Sequence, residues 1–344
     1  MKLIEAEDLN HVLNKTKDLW EIVRNKSIFL TGGTGFFGKW LLQSFAYINE
    51  TLNLNSTITV LTRDPDKFLS QFPYHQNQPS INFIKGDILN FDFPQGNYHY
   101  IIHAATEADA ALNQGQPLLM VDTIINGTRR VLDFAKLQPI ESFLFTSSGA
   151  VYGRQPSHIT HAKETDSFPV DINNPNSAYA EGKRLAELYC SIYFSNYKVP
   201  VKIARCFAFA GPYLPLDKHF AIGNFILNAI RKEDIIIKGD GTPFRSYLYA
   251  ADLTVWLWTI LLKGENNTPY NVGSDEGFDL KTVANMVAEL SPGINVQVLT
   301  KTDPCKPLER YIPDVSFIKE SLGVQVSFDL KETIVKTKTF YAGI

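Results

Sequence analysis

SIFLTGGTGFFG, residues 27–38, is an apolar run that breaks into glycines. Gly32, Gly35 and Gly38 stand at GxxGxxG spacing, directly after a predicted strand (SIFLT, 27–31) and at the start of a helical pattern through Lys39, Leu42 and Phe45. A tight turn without side chains lets backbone N–H groups approach a pyrophosphate at the positive end of the following helix. Glycine triplets also occur in plain flexible turns. Here the strand before, the helix after and the next strand at the proper distance agree with a dinucleotide site.

Working outward, STITVLT (56–62), INFIKG (81–86), YHYIIHAA (98–105), ESFLFTS (141–147) and PVKIAR (200–205) read as further strands. Helical patterns lie between them, notably 118–137 and 179–197, the latter opened by NPNSAY. Strands alternating with helices predict a doubly wound α/β fold: a parallel sheet covered on both faces, with ligands beyond the carboxyl ends of its strands. After Cys206 the rhythm changes. GPYLPLD is a proline-rich loop, 219–232 looks helical, IIIKGDGTPFRSYLY reads strand–turn–strand, and the tail from 276 mixes one helix with short strands. The organisation expected is an N-terminal helical extension (1–26), a dinucleotide-binding domain (27–206, with a return near 247–275) and a smaller mixed α/β C-terminal domain (207–246 and 276–344). Leu3, Leu9, Val12, Leu13, Leu19, Trp20 and Val23 recur at helical intervals, so residues 3–25 are expected to form one amphipathic helix, packed on the sheet edge or on a partner chain.

Composition narrows the class. The 344 residues are 44% hydrophobic and 20% charged with net charge -3, ordinary for a soluble globular protein. No basic run suggests nucleic acid, no apolar run is long enough to cross a bilayer, and the charged N-terminus is unlike a signal peptide. Three widely spaced cysteines (Cys190, Cys206, Cys305) suggest neither a disulfide framework nor a metal site, and they fit a reducing cytoplasm.

The strand 56–62 ends VLTRDPDKF. An acid closing this strand would hold the ribose 2′-hydroxyl of NAD. Thr62 takes that position and Arg63 follows; an arginine there suits the 2′-phosphate of NADP. The other reading leaves Arg63 in solvent and gives the NAD role to Asp64 after a one-residue shift. The balance tips slightly to NADP. Asp87, after the third strand, is placed to meet the adenine or simply to make a turn.

FTSSGAVYG (145–153) presents two serines at a strand end, and Tyr179 and Lys183 stand four apart on one helix face. A tyrosine with a pKa of about 10 is a poor base at neutral pH, but a nearby ammonium and a cationic nicotinamide favour its phenolate. Tyr-x-x-x-Lys alone is a common accident of long helices; its order after a dinucleotide motif and a Ser-Ser strand end gives it weight.

With these motifs on the page, the sequence resembles the extended short-chain dehydrogenase/reductases of the NAD-dependent epimerase/dehydratase family, which act on nucleotide sugars. The resemblance covers roughly residues 27–340 and adds GDI (86–88), HAA (103–105), NGT (126–128), RCFAFAGP (205–212), GDGTPFRSYLYAAD (239–252) and RYIPD (310–314). It implies a Rossmann-type sheet with a C-terminal substrate domain, and NAD or NADP held by Gly32, Gly35, Phe36, Phe37, Gly38, Arg63, Asp87, Ile88, Ala104, Ala105, Tyr179 and Lys183. Tyr179 would exchange the sugar hydroxyl proton, Lys183 would hold the nicotinamide ribose and tune Tyr179, and Ser148 would bond the same sugar oxygen. Asn126 would support the active-site water or helix geometry, or cap a helix. Arg245 and Arg310 fall where relatives grip the substrate diphosphate. Relatives also dimerise through the helices corresponding to 118–137 and 179–197, so a homodimer is expected.

Two departures bear on the reaction. Ala208 replaces the Asn that relatives place against the diphosphate, so the clamp is partly rebuilt, with Lys218 or His219 as candidates. Sugar 4,6-dehydratases carry Asp-Glu after the Ser/Thr, because elimination needs an acid at C6 and a base at C5; decarboxylases keep a Glu there. Here those places are Gly149 and Ala150. Glu107, two residues beyond HAA, either substitutes from a neighbouring loop or faces solvent, and His103 reads as a packing residue. The leading expectation is a nucleotide-sugar 4-epimerase passing through a 4-keto sugar. An NADPH-dependent 4-ketoreductase and a 4,6-dehydratase using Glu107 follow. A non-enzymatic scaffold would show a broken Ser-Tyr-Lys set, and this set is intact.

Overall fold

The computed structural model describes residues 2–106, 110–218 and 220–342. An N-terminal helix α1 (Ala6–Thr16) precedes strand β1 (Ser27–Thr31), helix α2 (Phe36–Thr51) and β2 (Thr57–Thr62). There follow α3 (Pro65–Gln71), β3 (Ile81–Lys85), β4 (Tyr100–His103), α4 (Ala110–Gly115), α5 (Pro117–Ala135), β5 (Ser142–Ser148), α6 (Ala178–Tyr197) and β6 (Val201–Cys206). Beyond them lie β7 (Phe209–Ala210), α7 (Ala221–Arg231), β8 (Ile235–Ile237), β9 (Phe244–Ser246), β10 (Leu248–Tyr249), α8 (Ala250–Lys263) and β11 (Pro269–Val272). The chain closes with β12 (Gly277–Asp279), α9 (Leu280–Glu289), β13 (Val296–Val298), β14 (Arg310–Tyr311), α10 (Ser316–Leu322) and α11 (Leu330–Ala342).

Among the described residues seven parallel strands form one sheet in the order β11-β6-β5-β4-β1-β2-β3. Alternation along each strand sorts its side chains between two cores. In β1, Ile28 and Leu30 join the core of α1, α2 and α8 with Trp40 and Trp258, while Phe29 points to the other face with Phe134 of α5 and Ala186 of α6. The order reverses between β1 and β4, which opens a crevice at their carboxyl ends. A third core, built from Ile226, Ile235, Val283 and Ile334, holds α7, β8, α9 and α11 together. Beside it β12, β9 and β14 form a small sheet whose register sets Tyr311 opposite Arg245 and Arg310 opposite Phe244.

Three expectations change. The single helix over 3–25 ends at Thr16, whose hydroxyl turns back to the Val12 carbonyl at 2.7 Å and accepts the Trp20 indole N–H at 2.9 Å. Two 3-10 turns follow, Lys17–Leu19 and Glu21–Val23. The segment packs on α2 and α8 rather than along a sheet edge. The tail from 276 holds three helices, not one. In α11 the buried stripe Leu330, Thr333, Ile334, Thr337, Phe340 includes two threonines, which blurs the apolar period. Among the described residues no helix is long and apolar enough to cross a membrane.

Candidate active site

The crevice begins at the glycine turn. Gly32 has φ +75, and a methyl on it would lie 2.3 Å from the Ala104 carbonyl oxygen, so β1 and the end of β4 touch through this glycine. Gly38 is equally enclosed, 2.3 Å from the Gly32 carbonyl oxygen. Gly35 is different: it is exposed, it opens α2 without a side-chain cap, and a methyl there would meet only the Gly32 oxygen at 3.3 Å. The N–H groups of the first turn of α2 thus face an open cradle, which fits a pyrophosphate. Phe36 and Phe37 are half-buried with ring centroids 5.7 Å apart.

Around the cradle, Thr62 is buried at the end of β2 and Arg63 is exposed. Asp64 is spent as a helix cap, accepting from the Lys67 N–H at 3.0 Å. Asp87 is half-buried and accepts from the Leu89 N–H at 2.9 Å. Ile88 buries its side chain against Gly127 of α5. Ala104 and Ala105 follow β4, their N–H groups donating to the Thr31 carbonyl at 3.2 Å and the Thr31 hydroxyl at 3.3 Å. His103 lies between the hydroxyls of Thr31 (2.8 Å) and Thr128 (3.1 Å), and burial near Lys183 drives its pKa down to about 3. It is a neutral packing group.

Strand alternation separates the two serines of FTSSGAVYG. The Ser147 hydroxyl donates to Glu187, which also pairs with Arg205 at 2.8 Å, so Ser147 belongs to a buried network behind the site. Ser148 ends β5 on the crevice side, where its hydroxyl accepts from the Ala150 N–H at 3.2 Å. Opposite stands the start of α6. Asn113 of α4 fixes it, accepting from the Tyr179 N–H at 3.1 Å and donating to the Asn176 carbonyl at 2.7 Å. Burial raises the Tyr179 pKa to about 12, while the neighbouring Ser148 hydroxyl works the other way. Lys183, one turn on, is buried; its ammonium donates to the Thr146 carbonyl at 2.8 Å and the Thr106 hydroxyl at 3.1 Å and lies 4.8 Å from the Phe145 ring centre. Burial lowers its pKa to about 8. The structure therefore brings Ser148, Tyr179 and Lys183 together.

The far wall comes from β9 and β14. Arg245 pairs with Glu309 at 2.5 Å. The Arg310 guanidinium stacks 4.7 Å from the Phe244 ring centre, and its buried Nε has no partner. Tyr311, next along β14, sets its hydroxyl 3.5 Å from that of Ser148. A methyl at Gly149 would fall 2.7 Å from this hydroxyl and 2.8 Å from the Phe207 ring. Asn113, Phe207 and Tyr311 escape a reading of the sequence because no local pattern ties them to Ser148. Phe207 and Tyr311 lie inside the RCFAFAGP and RYIPD motifs, and the missing side chain at position 149 is the mark they leave beside Ser148; Asn113 leaves none.

Other candidates lie apart. Asn126 is exposed in mid-α5, 3.5 Å from Asp122, and caps nothing. Ala208 packs against the third core and Lys218 is exposed. Glu107 and His219 lie outside the described residues. No group of three or more potential metal ligands occurs among the described residues.

A sequence model of the NAD dependent epimerase/dehydratase family matches residues 28–273. The chain is 30% identical over 311 residues to UDP-glucuronic acid decarboxylase 6 of Arabidopsis thaliana, covering 90% of this chain and 86% of that protein. Its fold resembles the epimerase Mth375 of Methanothermobacter thermautotrophicus (TM-score 0.78, 22% identity, 96% of each chain). It also resembles the UDP-glucose 4-epimerase of Thermotoga maritima (TM-score 0.77, 20% identity, 92% of this chain and 99% of that one).

Proposed function

The chain belongs to the NAD-dependent epimerase/dehydratase family, enzymes of nucleotide sugars, and within that family we propose that it is a nucleotide-sugar 4-epimerase. Position 149 carries this reading. Two residues without acid or base follow Ser148, and the space a side chain at 149 would enter is filled by Tyr311 and Phe207. A proton-exchanging phenol and a hydrogen-bonding hydroxyl remain, which suffice for oxidation and re-reduction at one carbon.

NAD, when bound, accepts a hydride from the sugar carbon and returns it. The open turn at Gly35 and the strand ends around Ala104, Ala105 and Asp87 are the residues suited to hold it. Tyr179 takes the proton of the sugar hydroxyl, and Ser148 donates to the same oxygen as it becomes a carbonyl. Lys183 supplies positive charge that favours the Tyr179 phenolate. The sugar then turns about its diphosphate so that the other face of the carbonyl carbon is presented for reduction, and Tyr179 returns the proton to the oxygen. Arg245 and Arg310 are suited to the diphosphate, Arg310 through an Nε that lacks a partner. On this reading residues 27–206 and 247–275 serve the dinucleotide, and 207–246 with 276–344 shape the sugar pocket. A homodimer through α5 and α6 is part of the proposal; Leu118 (80% exposed) and Leu188 (54%) are the side chains it would cover.

The names of the curated relatives favour a second reading, decarboxylation of a nucleotide uronic acid. Mass spectrometry of products from UDP-hexoses and UDP-glucuronic acid in deuterated water separates the two. Epimerisation gives unchanged mass, altered retention and no carbon-bound deuterium. A product lighter by carbon dioxide establishes the second reading, and one lighter by water overturns both.

A further inference from the structure

The start of α6 is built in two parts. A 3-10 turn, Pro175–Ser177, leads into the helix and is capped by Asn174, whose side chain accepts from the Asn176 N–H at 3.0 Å and whose carbonyl accepts from the Ser177 N–H at 2.9 Å. Ser177, directly before the helix, caps nothing with its side chain. The bridge into the helix comes from elsewhere. Asn113 of α4 spans the Tyr179 N–H and the Asn176 carbonyl, accepting from the first at 3.1 Å and donating to the second at 2.7 Å. One further 3-10 step would close those two groups on each other. A side-chain amide inserted there sets how the 3-10 turn passes into α-helix, and with it the direction in which side chain 179 leaves the backbone. The same connection, from β4 to α5, also bears on Lys183, whose ammonium donates to the Thr106 hydroxyl at 3.1 Å. Both bonds of Asn113 run to backbone groups, so it moves no proton; what it governs is where the phenol stands.

We propose that Asn113 is a positioning residue for the reaction: its amide fixes the entry of α6 so that the Tyr179 phenol stands against Ser148 and the reacting hydroxyl. A displacement of about 1 Å at a reacting group costs about 100-fold in rate. The proposal rests on the reading that Tyr179 exchanges the sugar hydroxyl proton. It holds equally whether the keto sugar is reduced again or first loses carbon dioxide.

The test compares Asn113→Ala with Asn174→Ala, which removes the ordinary cap of the same helix start and leaves the Asn113 bridge in place. Each protein is loaded with NAD, and the Tyr179 phenol is titrated by ultraviolet difference against the same protein carrying Tyr179→Phe. Rates are measured with whichever of UDP-glucose and UDP-glucuronic acid the wild type converts. Asn113→Ala is expected to lower kcat about 10- to 100-fold with binding of the sugar nucleotide unchanged. It should also raise the phenol's pKa by about 0.5 or more, since the phenol is withdrawn from the Ser148 hydroxyl that favours its ionisation. Asn174→Ala should lower the melting temperature yet keep the wild-type rate and titration. An unmoved phenol or a wild-type rate in Asn113→Ala overturns the proposal, as does an equal loss in both variants, which would make Asn113 a helix cap and nothing more. Should Asn113→Ala not fold, Asn113→Ser, whose single hydroxyl cannot span both groups, takes its place under the same expectations. The titration needs no substrate, so a wild type that converts neither sugar would refute the proposed reaction while Asn113 is still judged by the phenol.

Discussion

The Lys183 ammonium donates to the carbonyl oxygen of Thr146 at 2.8 Å, so a buried cation is held by a neutral acceptor at the end of β5. Burial brings its pKa to about 8, below the ordinary lysine value of about 10.4. Below about pH 8 folded and unfolded chains both carry the proton, and the whole penalty is present; between about 8 and 10.4 only the unfolded chain does, so stability rises with pH. Lys183→Met should therefore stabilise the cofactor-free protein at pH 7, by up to about 3 kcal/mol, and the advantage should shrink to nothing above about pH 10. Urea unfolding of both proteins across this range checks it. Turnover should fall by about 100-fold or more, since the charge that favours the phenolate is gone.

Tyr179 has its pKa raised to about 12, chiefly by burial. In the cofactor-free protein it is a phenol at neutral pH, not a ready base. The difference in ultraviolet absorbance between wild type and Tyr179→Phe should show no phenolate at pH 8 without NAD, and a phenolate at lower pH once saturating NAD adds its positive charge. Tyr179→Phe should cost about 100- to 10,000-fold in kcat with the fold intact.

Two glycines of one motif should respond in opposite ways. A methyl at 38 would lie 2.3 Å from both the Gly32 oxygen and the Gly33 Cα, where only backbone can move, so Gly38→Ala should lower stability by about 2–3 kcal/mol. A methyl at 35 meets the Gly32 oxygen at 3.3 Å and otherwise open space. Gly35→Ala should therefore fold normally yet bind NAD about 10-fold more weakly, since the methyl stands where the pyrophosphate approaches. Melting temperature and NAD titration, run on both variants, separate the two effects.

Arg63 is exposed at the end of β2, beside an Asp64 already committed to capping α3. The family is NAD-dependent, so NAD is expected to bind more tightly than NADP. Arg63→Ala should change NAD affinity less than threefold and weaken NADP about 10-fold, because only NADP carries a 2′-phosphate for the guanidinium to pair with. Equal loss for both cofactors would place Arg63 against a group that they share.

The sheet and the cradle were legible in the sequence because their causes are local. Apolar runs stop at glycines, Thr31 passes straight into the turn, and Tyr179 and Lys183 share a helix face by spacing alone. Helix α8 was not legible as a helix, since twelve of its fourteen residues, Ala250 through Leu261, are buried and leave no polar face to mark the period. Tyr311 and Asn113 reach Ser148 and Tyr179 from 163 and 66 residues away. Such contacts depend on the register of small strands and on how loops fold back, which no window of sequence contains.

The N-terminal segment gives the last prediction. Trp20 is fully buried, stands edge-on to Trp258 of α8 at 4.8 Å and 61°, and donates its indole N–H to Thr16. Asp8 on the same segment accepts from the Tyr249 hydroxyl at 2.6 Å and from Lys336 at 3.0 Å, tying α1 to β10 and α11. These are core contacts, so the segment is part of the folding unit and not an appendage. Trp20→Ala should cost about 3–5 kcal/mol, as expected for a large aromatic removed from a packed core. Trp20→Phe should recover much of the loss, because it keeps the edge-on contact and gives up only the indole bond. Urea unfolding in the absence of cofactor measures both. If Trp20→Ala unfolds at the wild-type midpoint, α1 is a detachable cover and this account of its packing is wrong.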